Sequence, residues 1–184
     1  MALFVISYVF WPYDLTLVPV MALFGSWLIC MVMTTALAVY DIKWMLLPDK
    51  VMFPLIALGV VFGLLRTIGV EGTSIVNSLA DMVFGIMSVG GLYYVLHRVS
   101  NGAWVGFGDV KLGVFIGAAL GLQDAVIALM VANLVGVLYI LPGLLTKRLT
   151  RSSRVPFGPF LIIGFIVGGL FGERLVAQFF FGLL

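Results

Sequence analysis

Apolar residues run almost unbroken through this chain, in stretches of 13 to 24 parted by short polar or glycine- and proline-bearing breaks. About 20 apolar residues carry a helix across a bilayer. On that measure six spans are expected: 17–40, 51–68, 76–96, 110–122, 125–145 and 157–171. The fourth is short, and Trp104 to Gly108 are expected to complete it as irregular backbone buried by protein. Residues 1–11 are too short to cross. They read as an interfacial segment, 1–16 in all, with Trp11 and Tyr13 suited to the headgroup layer on either side of Pro12. The expected fold is therefore all-α, a polytopic membrane protein with six transmembrane helices and its N-terminus outside. Residues 1–184 form one transmembrane domain without linker, soluble-type repeat or low-complexity tract.

Composition agrees. Of 184 residues 63% are hydrophobic and 10% charged, and mean hydropathy is +1.24, against about 45–50% apolar and about 25% charged in an ordinary soluble domain. The N-terminal stretch has no Lys or Arg and no small-residue cleavage pattern after it, so a removable signal peptide is not expected. The single cysteine, Cys30, lies in an apolar run, which leaves neither an internal disulfide nor a cysteine zinc site. Net charge is +2, but the basic residues sit in short loops, and nothing supports nucleic-acid binding.

Those basic residues orient the chain, because cytoplasmic loops retain Lys and Arg. With the N-terminus outside, eight of the ten fall inside: Lys43, Lys50, Arg98, Lys111, Lys147, Arg148, Arg151 and Arg154. Arg66 and Arg174 stay outside. Within the fourth span Gly113, Gly117 and Gly121 recur every four residues, a pattern that lets helix backbones approach closely. That span is expected at the centre.

Two acids remain at span boundaries on the cytoplasmic side, Asp41 and Asp109. A carboxylate near hydrocarbon costs roughly 2.5 to 3.5 kcal/mol on insertion scales, so its retention suggests use. The two are 68 positions apart, and shared depth allows them to meet without requiring it. Two carboxyls within a few ångströms share a proton and titrate in two coupled steps. One then acts as base and the other as acid, enough to drive water onto a peptide carbonyl without metal, cofactor or covalent intermediate. Gly106 and Gly108 flank Phe107 just before Asp109, where missing Cβ atoms permit unusual dihedrals and the approach of an extended substrate. A helix beginning near Asp109 would favour its ionised form through the N-terminal dipole.

The segments around these acids resemble the bacterial type IV prepilin and preflagellin peptidases, polytopic aspartyl proteases of the GxGD type. Asp41 followed by Pro48-Asp49 is similar to the first motif of that family, and Gly106-Phe107-Gly108-Asp109-Val110-Lys111 to the second. Val155-Pro156-Phe157-Gly158-Pro159-Phe160 resembles the segment that opens its last helix. The resemblance implies Asp41 and Asp109 as the catalytic pair, with Gly106, Gly108, Lys111, Pro48 and Asp49 as supporting motif residues and no metal. It implies cleavage, after a glycine, of the short cytoplasmic leader that precedes the hydrophobic helix of a prepilin or pseudopilin, in the bacterial inner membrane. Many members carry an N-terminal methyltransferase part with a cysteine-pair zinc loop that has no counterpart in these residues, so the resemblance is to a short, peptidase-only form. Met52 stands where the family often has Thr.

Other polar residues have plainer readings. Asp49 is expected to cap the second span by accepting a backbone N–H, with a substrate-orienting role as the alternative. Lys111 serves orientation, or else pairs with an active-site carboxylate or a substrate carbonyl. His97, beside Arg98, reads as a solvated loop histidine, and Asp81 as an acid that snorkels to the outer interface. Lys147, Arg148, Arg151 and Arg154 would attract anionic lipid headgroups, and Phe179-Phe180-Phe181 would anchor at the interface. Two other functions compete. A presenilin-like intramembrane protease would show a later Pro-Ala-Leu motif, which is absent here, and would have its acids on consecutive spans rather than the first and fourth. A cation-coupled transporter would need acids near the midplane and an inverted repeat.

Overall fold

The computed structural model describes residues 2–147 and 155–178, and among them every element is helical. A short α1 (Ala2–Val9) precedes α2 (Val18–Trp44), which ends where Met45 turns left-handed (φ 50°) and its N–H caps the Asp41 carbonyl. After Pro48 comes α3 (Asp49–Leu64), prolonged by a wide π-type turn over Leu65–Val70. Then α4 (Ile75–Ile86) runs through a second π-type turn, Met87–Gly91, into α5 (Leu92–Val99). Finally α6 (Phe107–Leu145) and α7 (Gly158–Val176) close the bundle. Arg148, Arg151, Arg154 and Phe179 to Phe181 lie outside the described residues.

Five helical stretches are long and apolar enough to cross a membrane: Val18–Trp44, Asp49–Val70, Ile75–Val99, Phe107–Leu145 and Gly158–Val176. Six were expected, and the difference lies in α6, where the fourth and fifth expected spans are joined without a loop. Gly121 leaves helical geometry there, with φ 71° and ψ −171°, a conformation open to glycine alone at little cost. The contacts of α7 reveal what this single residue does. Phe115 stacks on Phe165 at 4.8 Å and Leu120 reaches Gly168, so the first arm ascends with α7. Beyond Gly121 the partners reverse: Asp124 meets Gly172, Ala128 meets Gly164, and Gly136 meets Phe157 and Phe160. The second arm runs back along α7.

The first arm of α6 is the hub, buried almost continuously from Val110 to Gly121. Small residues make this possible. Gly113 lies on the Gly90 backbone and Gly117 on the Gly85 carbonyl, bringing α4 and the π-type turn after it into backbone contact with α6, as small-xxx-small spacing allows. On another side Phe115 and Ala118 fill against Gly59 and Gly63 of α3. Trp27, fully buried on α2, stacks on Phe62 and Phe165 and donates from Nε1 to Ser7 Oγ of α1 at 3.0 Å. The N-terminal segment is thus tied to the bundle, with Trp11 buried on Phe24 and Trp27.

At the Gly121 end, buried Arg66 holds the reversal together. Its Nη2 donates to the Leu120 carbonyl at 2.6 Å and its Nη1 to Asp124 Oδ2 at 2.7 Å. Asp81 Oδ1 accepts the Leu122 N–H at 2.9 Å, and its Oδ2 lies 3.8 Å from Arg66 Nη2. Asp81 therefore does not snorkel freely: a chain reversal strands backbone groups, and a cation and an acid are drawn in to satisfy them.

Candidate active site

Asp41, Asp109 and Gly158 come from three different helices and gather at the end of the bundle opposite Arg66. Asp41 lies in the last turn of α2, buried, and its Oδ2 accepts the Gly158 N–H at 2.9 Å from the first turn of α7. A first-turn N–H has no partner within its own helix, so α7 offers this donor freely. Asp109 stands in the first turn of α6, half-buried, and its Oδ2 accepts the Gly106 N–H at 3.2 Å, tying down the turn that precedes the helix. Leu47, which follows Asp41 in the turn before α3, lies against Gly108 next to Asp109, so both carboxylates stand at the same end of the bundle.

The helix starts at Phe107, so the segment expected to be irregular through Gly108 is already helical at its end. The glycines also act differently from expectation. Gly106 is extended (φ −70°, ψ 152°), and positive φ among glycines occurs only at Gly72, Gly102 and Gly121 within the described residues. Close contact is what they permit: a Cβ on Gly108 would lie 2.9 Å from Leu47 Cδ1, and one on Gly106 3.3 Å from Asp109 Oδ2. Gly158 is similarly confined, with a built Cβ 2.7 Å from Asp41 Oδ2.

Around this core the remaining motif residues form a strap. Pro48, not Asp49, is the capping residue of α3, and its carbonyl accepts the N–H groups of Val51 and Met52 at 3.0 Å. Asp49 makes no side-chain cap. It is drawn instead to Lys111 Nζ, whose ammonium also sits 5.1 Å from both the Phe53 and Phe107 rings. The strap joins the start of α3 to the start of α6. His97 is not a free loop histidine either: it lies in the last turn of α5, its Nδ1 lies 2.8 Å from the Val105 carbonyl, and its ring faces Phe107 at 5.5 Å.

Among the described residues no three His, Cys, Asp or Glu side chains gather as a metal site. A cavity of about 100 Å³ opens at the far end, between Tyr13, Phe62, Arg66, Asp124 and Glu173, away from both aspartates. Tyr13 there donates towards Glu71 and Glu173, and burial pushes its phenol well above the usual range, so it remains a donor. The contact of Gly158 with Asp41 and the pairing of Asp124 with Arg66 have no sign in the sequence. The motif around Gly158 is visible there, but the donor is a backbone N–H, which no residue letter advertises.

A model of the type IV leader peptidase family matches residues 27–141. The chain belongs to that family. Its curated relatives include prepilin leader peptidase/N-methyltransferases of Aeromonas salmonicida (31% identical, 76% of this chain and 47% of the relative), Pectobacterium carotovorum (33%, 82% and 52%) and Escherichia coli K12 (36%, 75% and 58%). The chain spans about half the length of the curated relatives it matches. No solved structure matches it. Both aspartates and the Lys111 strap fall inside the matched family region, and Gly158 lies beyond it.

Proposed function

We propose that this chain is a membrane aspartyl endopeptidase that removes the short leader of a type IV prepilin or pseudopilin, cutting after a glycine. The placement of Asp41 and Asp109 at one bundle end, in a chain of the leader peptidase family, carries the reading. One carboxyl is protonated and the other ionised, as close like charges require. The carboxylate takes a proton from water as its oxygen bonds the scissile carbonyl carbon. The carboxylic acid gives its proton to the carbonyl oxygen, and a neutral tetrahedral diol results. Its collapse breaks the C–N bond while a carboxyl protonates the leaving nitrogen, and the diol proton returns to the dyad. Atoms and charge balance without a cofactor.

The Gly158 and Gly106 N–H groups each hold one carboxyl oxygen and leave the other free to work. Preorganisation of this kind lowers the barrier without reorganisation during reaction. We further propose six spans, with the two arms of α6 crossing separately, the N-terminus outside and the aspartates at the cytoplasmic face of the inner membrane. The Lys and Arg distribution supports that orientation. A leader preceding a hydrophobic helix would meet the dyad there, with the helix still in lipid. The acids at the far end are bound to Arg66, and no observation favours an ion pathway. Purified protein in detergent micelles should shorten a prepilin at a single bond, read by intact mass. An unchanged prepilin mass across a panel of leaders would defeat the proposal.

A further inference from the structure

Tyr93 holds a hydroxyl for which the resting fold has no use. The residue is 3% exposed, and among the described residues its oxygen has no hydrogen-bond partner. An unpaired buried hydroxyl destabilises the fold, and phenylalanine would fill the same space without that loss. Asn133, whose Nδ2 donates to the Leu129 carbonyl at 2.7 Å, faces the phenol from the second arm of α6, short of a formed hydrogen bond.

The position of this hydroxyl gives it a purpose. Gly90, in the π-type turn that leads into α5, lies on Gly113, where the α4–α5 rod and the first arm of α6 run antiparallel. Tyr93 and Asp109 each lie roughly one turn on from these contact residues, which places them at the same level of the two antiparallel segments. The ring packs edge-on against Phe157 at 5.9 Å, the residue before the Gly158 donor of Asp41. Tyr93 is thereby fixed beside the dyad by its ring while its O–H stays uncommitted.

We infer that Tyr93 is a third catalytic residue, whose O–H donates a hydrogen bond to the scissile carbonyl oxygen as it becomes tetrahedral. The phenol keeps its proton throughout; the dyad alone transfers protons. This role rests on the peptidase reading above. A donor that meets its acceptor only in the transition state contributes to kcat and little to substrate binding.

The test compares wild type, Asp109→Asn and Tyr93→Phe on one purified prepilin, with kcat, KM and thermal unfolding midpoint measured for each. Tyr93→Phe is expected to lower kcat at least tenfold with KM within about twofold, and to unfold at the same or a higher temperature. A smaller fall in kcat, a larger change in KM or a lowered midpoint overturns the role, since each marks a spectator, a ground-state contact or a structural part. An inactive wild type, or an active Asp109→Asn, sinks the peptidase reading itself rather than this addition to it.

Discussion

Replacing Gly158 by alanine should disable the site while sparing the fold. The three atoms nearest a Cβ at that position are Asp41 Oδ2 at 2.7 Å, Cγ at 3.2 Å and Cβ at 3.5 Å, all of one side chain. No backbone blocks it, so the carboxylate gives way rather than the helices. Restoring ordinary contact with Oδ2 requires a shift of roughly 0.5–0.7 Å, given van der Waals separations near 3.5 Å. The same oxygen holds the 2.9 Å bond to the Gly158 N–H, so the movement also weakens the contact that orients Asp41. Misplacement of a reacting group by about 1 Å costs on the order of 10²-fold in rate. We therefore expect Gly158→Ala to cleave prepilin roughly 10- to 100-fold more slowly. Stability should change by only about 1 kcal/mol, the worth of one neutral hydrogen bond. Gly25, with nothing within 4 Å of its built Cβ, supplies the control, and Gly25→Ala should match wild type. Initial rates in detergent, beside circular-dichroism melts, measure both effects. Cleavage by Gly158→Ala within twofold of wild type would refute the claim that this N–H positions a catalytic carboxylate.

Three further outcomes follow from the same geometry. Arg66→Met should destabilise the protein by about 3–5 kcal/mol, because Asp124 is left buried without its partner. Combining it with Asp124→Leu should recover much of that loss in a thermal double-mutant cycle. Gly117→Val drives a side chain into the Gly85 carbonyl and should lower the yield of folded protein, monitored by size-exclusion chromatography, where Gly25→Val does not. Asp49→Asn removes a half-exposed ion pair and should cost no more than about 1 kcal/mol of stability, with the loss shrinking in high salt.

The parts of this protein that the sequence discloses are those where an apolar pattern is interrupted by something costly. Asp41 and Asp109 stand out because charge at the end of a long hydrophobic stretch demands a reason, and Gly113, Gly117 and Gly121 because their spacing is periodic. Gly121 also shows where such reading stops: the same residue that belongs to a packing stripe reverses the chain, and periodicity has no means of distinguishing the two uses. Arg66, Asp81 and Asp124 are separated by up to 58 positions, so each alone looks like an interfacial charge. Together they repair the backbone broken at Gly121. Tyr93 is concealed most completely, since tyrosine in an apolar run looks like ordinary packing until its hydroxyl is found without a partner.

The most direct test of the central claim is the cleavage rate of one purified prepilin by wild type, Asp41→Asn, Asp109→Asn and the double variant. If the two carboxyls act as one unit, each single replacement abolishes cleavage and the double is no worse than either, because members of a catalytic unit are not additive. Substantial cleavage by either single variant, with the fold intact, would contradict a shared dyad.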